Sequence, residues 1–185
     1  MNPRRLRLVL LAAGLIAAAL VLGAWTQPWF SVTIDDVELV ARGQDAAPAL
    51  SGVALAVVAL LAALMIARPA LRTVLGAVMT GLGVLAVAIL IPLVASDVAA
   101  LSSMARLIAD ATGFAGFSDQ AVTRTAWPFV ALAGAALMAV DGLAVMLTTR
   151  RWPAATSKYD ADAAKPDTNA GAWDALSEGD DPTSR

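Results

Sequence analysis

Four unbroken apolar runs organise the chain, at 8–24, 50–67, 73–95 and 126–148. The first three carry no charged residue, and the fourth carries one, Asp141. Each is roughly 17–23 residues long, enough to cross a hydrocarbon layer about 30 Å thick. Lipid offers no partner to free backbone N–H and C=O groups, so each run is predicted to be a helix. A soluble helical core is excluded because the rest of the chain could not cover so much apolar surface. The first run follows Arg4, Arg5 and Arg7, as a signal peptide would. It is longer than the roughly 7–15 apolar residues of a signal sequence, and Leu22-Gly23-Ala24 is a poor cleavage site. It therefore reads as an uncleaved anchor.

The polar positions between the runs set an orientation. Arg4, Arg5 and Arg7 precede the first run, Arg68 and Arg72 flank the short link between the second and third, and Arg150, Arg151, Lys158 and Lys165 follow the fourth. The two long loops, 25–49 and 96–125, hold only Arg42, Arg106 and Arg124. Cytoplasmic flanks collect Lys and Arg, so both termini are expected in the cytoplasm and both long loops outside. The predicted fold class is an all-α membrane protein with four transmembrane helices. The unit 1–152 holds the four spans, and 153–185 forms a cytoplasmic tail.

Within loop 25–49, Ser31-Val32-Thr33-Ile34 and Val37-Glu38-Leu39 alternate around Asp35-Asp36, which predicts a small extracytoplasmic β-hairpin. A lone hairpin is marginal in water, so it should rest on the second outer loop or on the headgroups. Trp25, Trp29 and Phe30 at the end of the first span, Trp127 at the start of the fourth and Trp152 just beyond it read as interfacial aromatics. For Trp25, Trp29 and Phe30 the alternative is an aromatic platform facing a ligand. Within loop 96–125, Ser96 is a plausible N-cap, Asp97 lies in the first turn and Gly113 is a stop. Val98, Leu101, Met104 or Ala105, and Ile108 share a face, which predicts an amphipathic helix at the outer interface. Pro128 suits the first turn of the fourth helix, where its missing N–H costs nothing.

Composition narrows the chemistry. The chain has 185 residues, is 59% hydrophobic and 15% charged, and has a mean hydropathy of +0.72. Soluble domains are about 25% charged. Without Cys or His there is no thiolate or imidazole for a metal site, a nucleophile or a base. No metal, cofactor or catalytic residue is expected, and the chain is not read as an enzyme. Basic residues are few and flank apolar runs, which argues against nucleic-acid binding. The expected partners are the lipid bilayer, a cytosolic protein bound by the tail, and a second copy of the chain. Small residues at four-residue spacing, Ala131, Ala135 and Ala139, with Gly76 and Thr80, fit close helix contacts inside the bundle or between copies.

Asp141 is the single ionisable group deep within a span, and an intramembrane acid is by default a candidate site. It lies seven residues before Thr148, about 10 Å from that end of the helix. The same depth in the other spans places Gly14 and Thr80 with Gly81 in its layer. Asp141 with Thr80 is therefore the candidate intramembrane polar site, with Thr80 able to hydrogen-bond the acid. One reading makes Asp141 a proton carrier for coupled transport; the other makes it a satisfied packing residue near a hydrated vestibule.

Net charge divides sharply along the chain. Ten Arg oppose eight acids in 1–152, while seven acids oppose three bases in 153–185. The stretch 154–170 has the composition of a disordered linker. The segment 172–183 then places Trp173 and Leu176 at i, i+3, with Gly179 as a stop, which suits a short helix formed on binding. Trp173, Asp174, Leu176, Asp181 and Pro182 form the candidate partner-binding motif.

This segment, with Trp173-Asp174-Ala175-Leu176-Ser177 and Asp181-Pro182-Thr183, resembles the C-terminal signature of the tryptophan-associated transmembrane proteins of actinobacteria. Pro28-Trp29, Gly43 with Ala47-Pro48-Ala49-Leu50, Trp127-Pro128, Arg151-Trp152-Pro153 and Ser157-Lys158-Tyr159 are similar to other motifs of that family. Asp141 matches none of them. The resemblance implies a four-span plasma-membrane protein linked to tryptophan biosynthesis by gene context, with no established molecular activity. An accessory or interaction protein is the function expected. The alternative is a small carrier, or carrier subunit, for tryptophan or a related aromatic metabolite.

Overall fold

The apolar runs become four long helices. The computed structural model describes residues 3–34, 37–95, 105, 109 and 123–149. Helix α1 is Pro3–Trp25, α3 is Ala49–Ile66, α4 is Pro69–Ala95 and α5 is Trp127–Thr148. All four are long and apolar enough to span a membrane. The single turn α2, Gly43–Ala46, was not foreseen and precedes α3. Helix α1 begins five residues before its apolar run and takes in Arg4, Arg5 and Arg7, because a helix can continue past the hydrocarbon once its side chains reach polar surroundings. Pro69 opens α4 after a two-residue link and Pro128 sits in the first turn of α5, both where a missing N–H is harmless.

The helices pack as a ring in chain order, α1 on α3, α3 on α4, α4 on α5, and α5 back on α1. One end of the ring gathers the arginines. Arg7 donates from a guanidinium nitrogen to the Met65 carbonyl at 2.8 Å, and Arg72 Nε donates to the Ala67 carbonyl at 2.9 Å. At the same end the hydroxyls of Thr73 and Thr149 lie 3.1 Å apart.

Helices α4 and α5 meet in a repeating register. The buried positions of α4 are Arg72, Gly76, Met79, Gly83, Ala86, Leu90 and Leu93, alternating steps of four and three. The buried positions of α5 include Pro128, Ala131, Ala135, Met138, Gly142 and Val145, with the same steps. This is the 3.5-residue seam of left-handed helix packing. Glycines let the backbones touch. A Cβ on Gly142 would stand 2.5 Å from the Thr80 amide nitrogen, one on Gly76 would stand 2.8 Å from that of Met146, and one on Gly83 would run into Ala139.

The opposite end carries a three-stranded sheet rather than a lone hairpin. Strand β1 (Pro28–Ile34) lies between β2 (Val37–Arg42) and the two-residue β3 (Thr123–Arg124), antiparallel to both. The hairpin thus does lean on the second long loop, through Phe30 opposite Arg124 and Ser31 opposite Thr123. The register shifts between Pro28 and Phe30, so Trp29 departs from strict alternation and both Trp29 and Phe30 turn inward. The Asp35-Asp36 turn, the amphipathic helix read between Ser96 and Gly113 apart from Ala105 and Ala109, and everything from Arg150 onward lie outside the described residues.

Substitution in the α4–α5 seam should be costly. Gly142→Val forces side-chain atoms into the α4 backbone and should lower stability by about 1–3 kcal/mol or more. Gly81→Ala, where a Cβ meets open space, should stay within about 0.5 kcal/mol of the parent. Thermal unfolding of the purified chains in detergent measures both.

Candidate functional site

Adjacent residues on α5 point to different neighbours, because each step turns the helix by about 100°. Gly142 faces α4. Asp141, one residue earlier, faces α1 and α3. A Cβ on Gly14 of α1 would stand 2.6 Å from Asp141 Oδ2 and 2.8 Å from Leu61 Cδ2 of α3. Gly134, two turns along α5, meets α1 in the same way, against Val21 and the Ala17 carbonyl. The α1–α5 contact therefore has its own small-residue seam, and the acid sits within it.

Asp141 is 3% exposed, and neither carboxyl oxygen has a hydrogen-bond partner among the described residues. The expected bond from Thr80 is not formed. The Thr80 hydroxyl donates instead to the Gly76 carbonyl at 2.9 Å, one turn back on its own helix. A threonine within a helix has that acceptor always in reach. Gly81 is exposed and belongs to no contact at this level. Thr80 does share the layer, but through its backbone, which packs on Gly142.

The aromatics divide. Trp29 and Phe30 are fully buried, which overturns their reading as interfacial anchors and leaves no face free for a ligand platform. The Trp29 indole N–H donates to the Ala24 carbonyl at 2.7 Å, at the end of α1. That bond satisfies the polar end of a buried indole, on a helix-terminal carbonyl that also accepts from the Gln27 amide at 3.1 Å. Gly43 lies against this ring, where a Cβ would stand 2.6 Å from Trp29 Cε2. Trp25 is half-buried, and its indole N–H donates to the Ala47 carbonyl at 3.1 Å. Trp127 is 38% exposed at the head of α5, as an interfacial side chain would be. Trp152 and the motif residues Trp173, Asp174, Leu176, Asp181 and Pro182 lie outside the described residues.

Among known proteins, a family model described as tryptophan-associated transmembrane protein matches residues 11–183. The chain belongs to that family. No curated protein and no solved structure matches it. With this family membership and four membrane-length helices, this tryptophan-associated protein is a multi-pass membrane protein. The match runs past the bundle into the acidic tail and includes the whole segment 172–183.

Two arginines of this tryptophan-associated protein do more than mark topology. Arg72 is fully buried at the first turn of α4. Its place in the four-and-three spacing with Gly76, Met79 and Gly83 is the signal that could have revealed it. Arg124 joins the two long loops to the bundle. It donates to the Val94 carbonyl near the end of α4 at 3.0 Å, and its guanidinium lies 5.9 Å from the centre of the Phe30 ring. Both contacts suit a cation, one at a helix C-terminus and one on an aromatic face. No sequence periodicity announces Arg124, because its partners come from distant elements. No group of three or more metal-ligating side chains occurs among the described residues.

Removing the ring beneath this cap should separate the two kinds of tryptophan. Trp29→Ala should cost about 3–5 kcal/mol through the cavity it leaves. Trp127→Ala should cost less than about 1 kcal/mol, since its side chain is largely outside the packed core. Unfolding midpoints of the detergent-solubilised proteins measure the difference.

Proposed function

We propose that this protein is a non-catalytic accessory protein of tryptophan metabolism in the plasma membrane. Its bundle anchors the tail, and the motif at 172–183 presents Trp173 and Leu176 to a cytosolic protein. The observation that carries this reading is the reach of the family match, which includes the tail motif as well as the spans. A polar, acidic segment gains nothing from Trp173 and Leu176 three positions apart unless another surface covers them. The net negative charge of 153–185 disfavours docking on anionic lipid and favours a protein surface.

The arginine-bearing end of the bundle faces the cytoplasm in this reading, by the excess of basic residues at that end. The sheet then caps the outer face. The carrier alternative draws no support from the α4–α5 seam, where the backbones touch and leave no route between those helices for a ligand the size of an indole.

The reading is checked with the full chain, tagged at its N-terminus and solubilised from cells. Trp173→Ala with Leu176→Ala should reduce recovery of co-purifying cytosolic proteins about tenfold, as expected when interface anchors are lost. Equal recovery by the parent and the double variant would sink the accessory role of the motif. A reporter fused after Arg185 should be active only if it is of the kind that works in the cytoplasm.

A further inference from the structure

The bundle holds a feature that the tail-based function does not use: a buried acid with no hydrogen-bond partner among the described residues, closed over by a glycine. We propose that the pocket formed by Gly14, Leu61 and Asp141 is a proton-binding site, and that the proton it holds keeps α1 seated on α5.

The pocket's walls decide which cation it can take. Both carboxyl oxygens are buried and accept no hydrogen bond among the described residues. The nearest atoms across from Gly14 are a carboxyl oxygen and the Leu61 methyls. A metal cation needs several oxygen ligands arranged around it, and this cage supplies two from a single side chain. A proton needs only one oxygen. Bound there, it turns an unpaired charge in an apolar cage into a neutral group, which such a cage tolerates far better.

Among the described residues no charged neighbour does the same work. Helix α3 has no charged residue between Ala49 and Ile66, and α5 has none besides Asp141. On α1 the nearest is Arg7, one heptad before Gly14 and about 10 Å away along the axis. On α4 the nearest is Arg72, about 13 Å from the level of Asp141 along the axis. Each of these arginines donates to a backbone carbonyl at the bundle's end, at Met65 and Ala67.

Loss of the proton leaves a carboxylate that must find water. Helix α5 cannot yield toward α4, because Gly76, Gly83 and Gly142 place those backbones in contact. The movement then falls to α1, which leads into the sheet at one end and bonds α3 through Arg7 and the Met65 carbonyl at the other. Gly14 lets α1 close over the acid as it stands, since a Cβ there would require the carboxyl and the Leu61 methyls to shift. The site therefore links proton occupancy to the fit of the first helix.

The test uses the absence of Cys from the chain. Ala17, fully buried on the α1 face that meets α5, is replaced by Cys in the full-length protein in lipid nanodiscs. Its alkylation by a membrane-permeant maleimide is followed from about pH 6 to about pH 9, with Asp141 and with Asp141→Asn. Because opening releases one proton, labelling with Asp141 should rise up to about tenfold per pH unit beyond the thiolate's own rise, which the Asn background reports. The same pH profile in both backgrounds would overturn the link. Should the Asn variant not fold, infrared spectroscopy of the parent chain labelled with ¹³C in the Asp side-chain carboxyl decides. An undissociated carboxylic-acid carbonyl band at neutral pH that shifts on labelling supports the site, and its absence overturns it.

Discussion

The contact between α4 and α5 is the constraint on which the rest of the bundle depends. In lipid, apolar side chains gain little by leaving hydrocarbon for one another, so helix association rests on close packing and on hydrogen bonds. Gly76, Gly83 and Gly142 supply the packing by bringing two backbones together over about two turns. Thr73 and Thr149 add a polar contact at one end of the same seam. With α4 and α5 joined in this way, the remaining face of α5 is fixed in direction, and α1 must fit it. Gly14 and Gly134 make that second fit possible.

The two ends of the bundle are closed by different chemistry. At one end, arginines reach back to helix-terminal carbonyls, where a cation complements the last turn of a helix. At the other, a sheet built from both long loops covers the helix ends. Its inner surface is Trp29 and Phe30, and its polar atoms are spent on the frame: the Trp29 indole on Ala24, Thr125 on Pro28, Arg124 on Val94. These bonds join residues that are up to 97 positions apart. They make this cap a folded part of the bundle.

Asp141 sits between these closures, in the one seam where a glycine faces an acid. Its neighbour Gly142 serves the rigid contact with α4, while Asp141 itself serves the contact with α1. A single step along α5 thus separates the structural seam from the polar one. The tail segment 172–183, which the family match includes, sets Trp173 and Leu176 among acidic residues.

How much of this was legible follows from the range of each signal. The four spans, their ends near Trp25, Ile66, Ala95 and Thr148, and the depth shared by Gly14, Thr80 and Asp141 are local or periodic properties, set by bilayer thickness and helical rise. The family motifs, read residue by residue, likewise needed no coordinates. What the linear pattern could not contain was the direction of each side chain after the helices met. Thr80 lay at the right depth but spent its hydroxyl on Gly76, because its own helix was closer than the acid. Trp29 and Phe30 had the composition of an interface but became the cap's core, because a register shift turned both inward under β3. Arg72 read as a topology marker and proved to be the first buried residue of the α4 seam. Sequence alone determined that this chain has four segments fit to cross a membrane and which family it belongs to, since length and hydropathy suffice for the first and ordered motifs for the second. Only the tertiary structure decided which residues enclose Asp141, because that depends on the rotation of three helices about their axes, and small residues far apart in the chain set that rotation together.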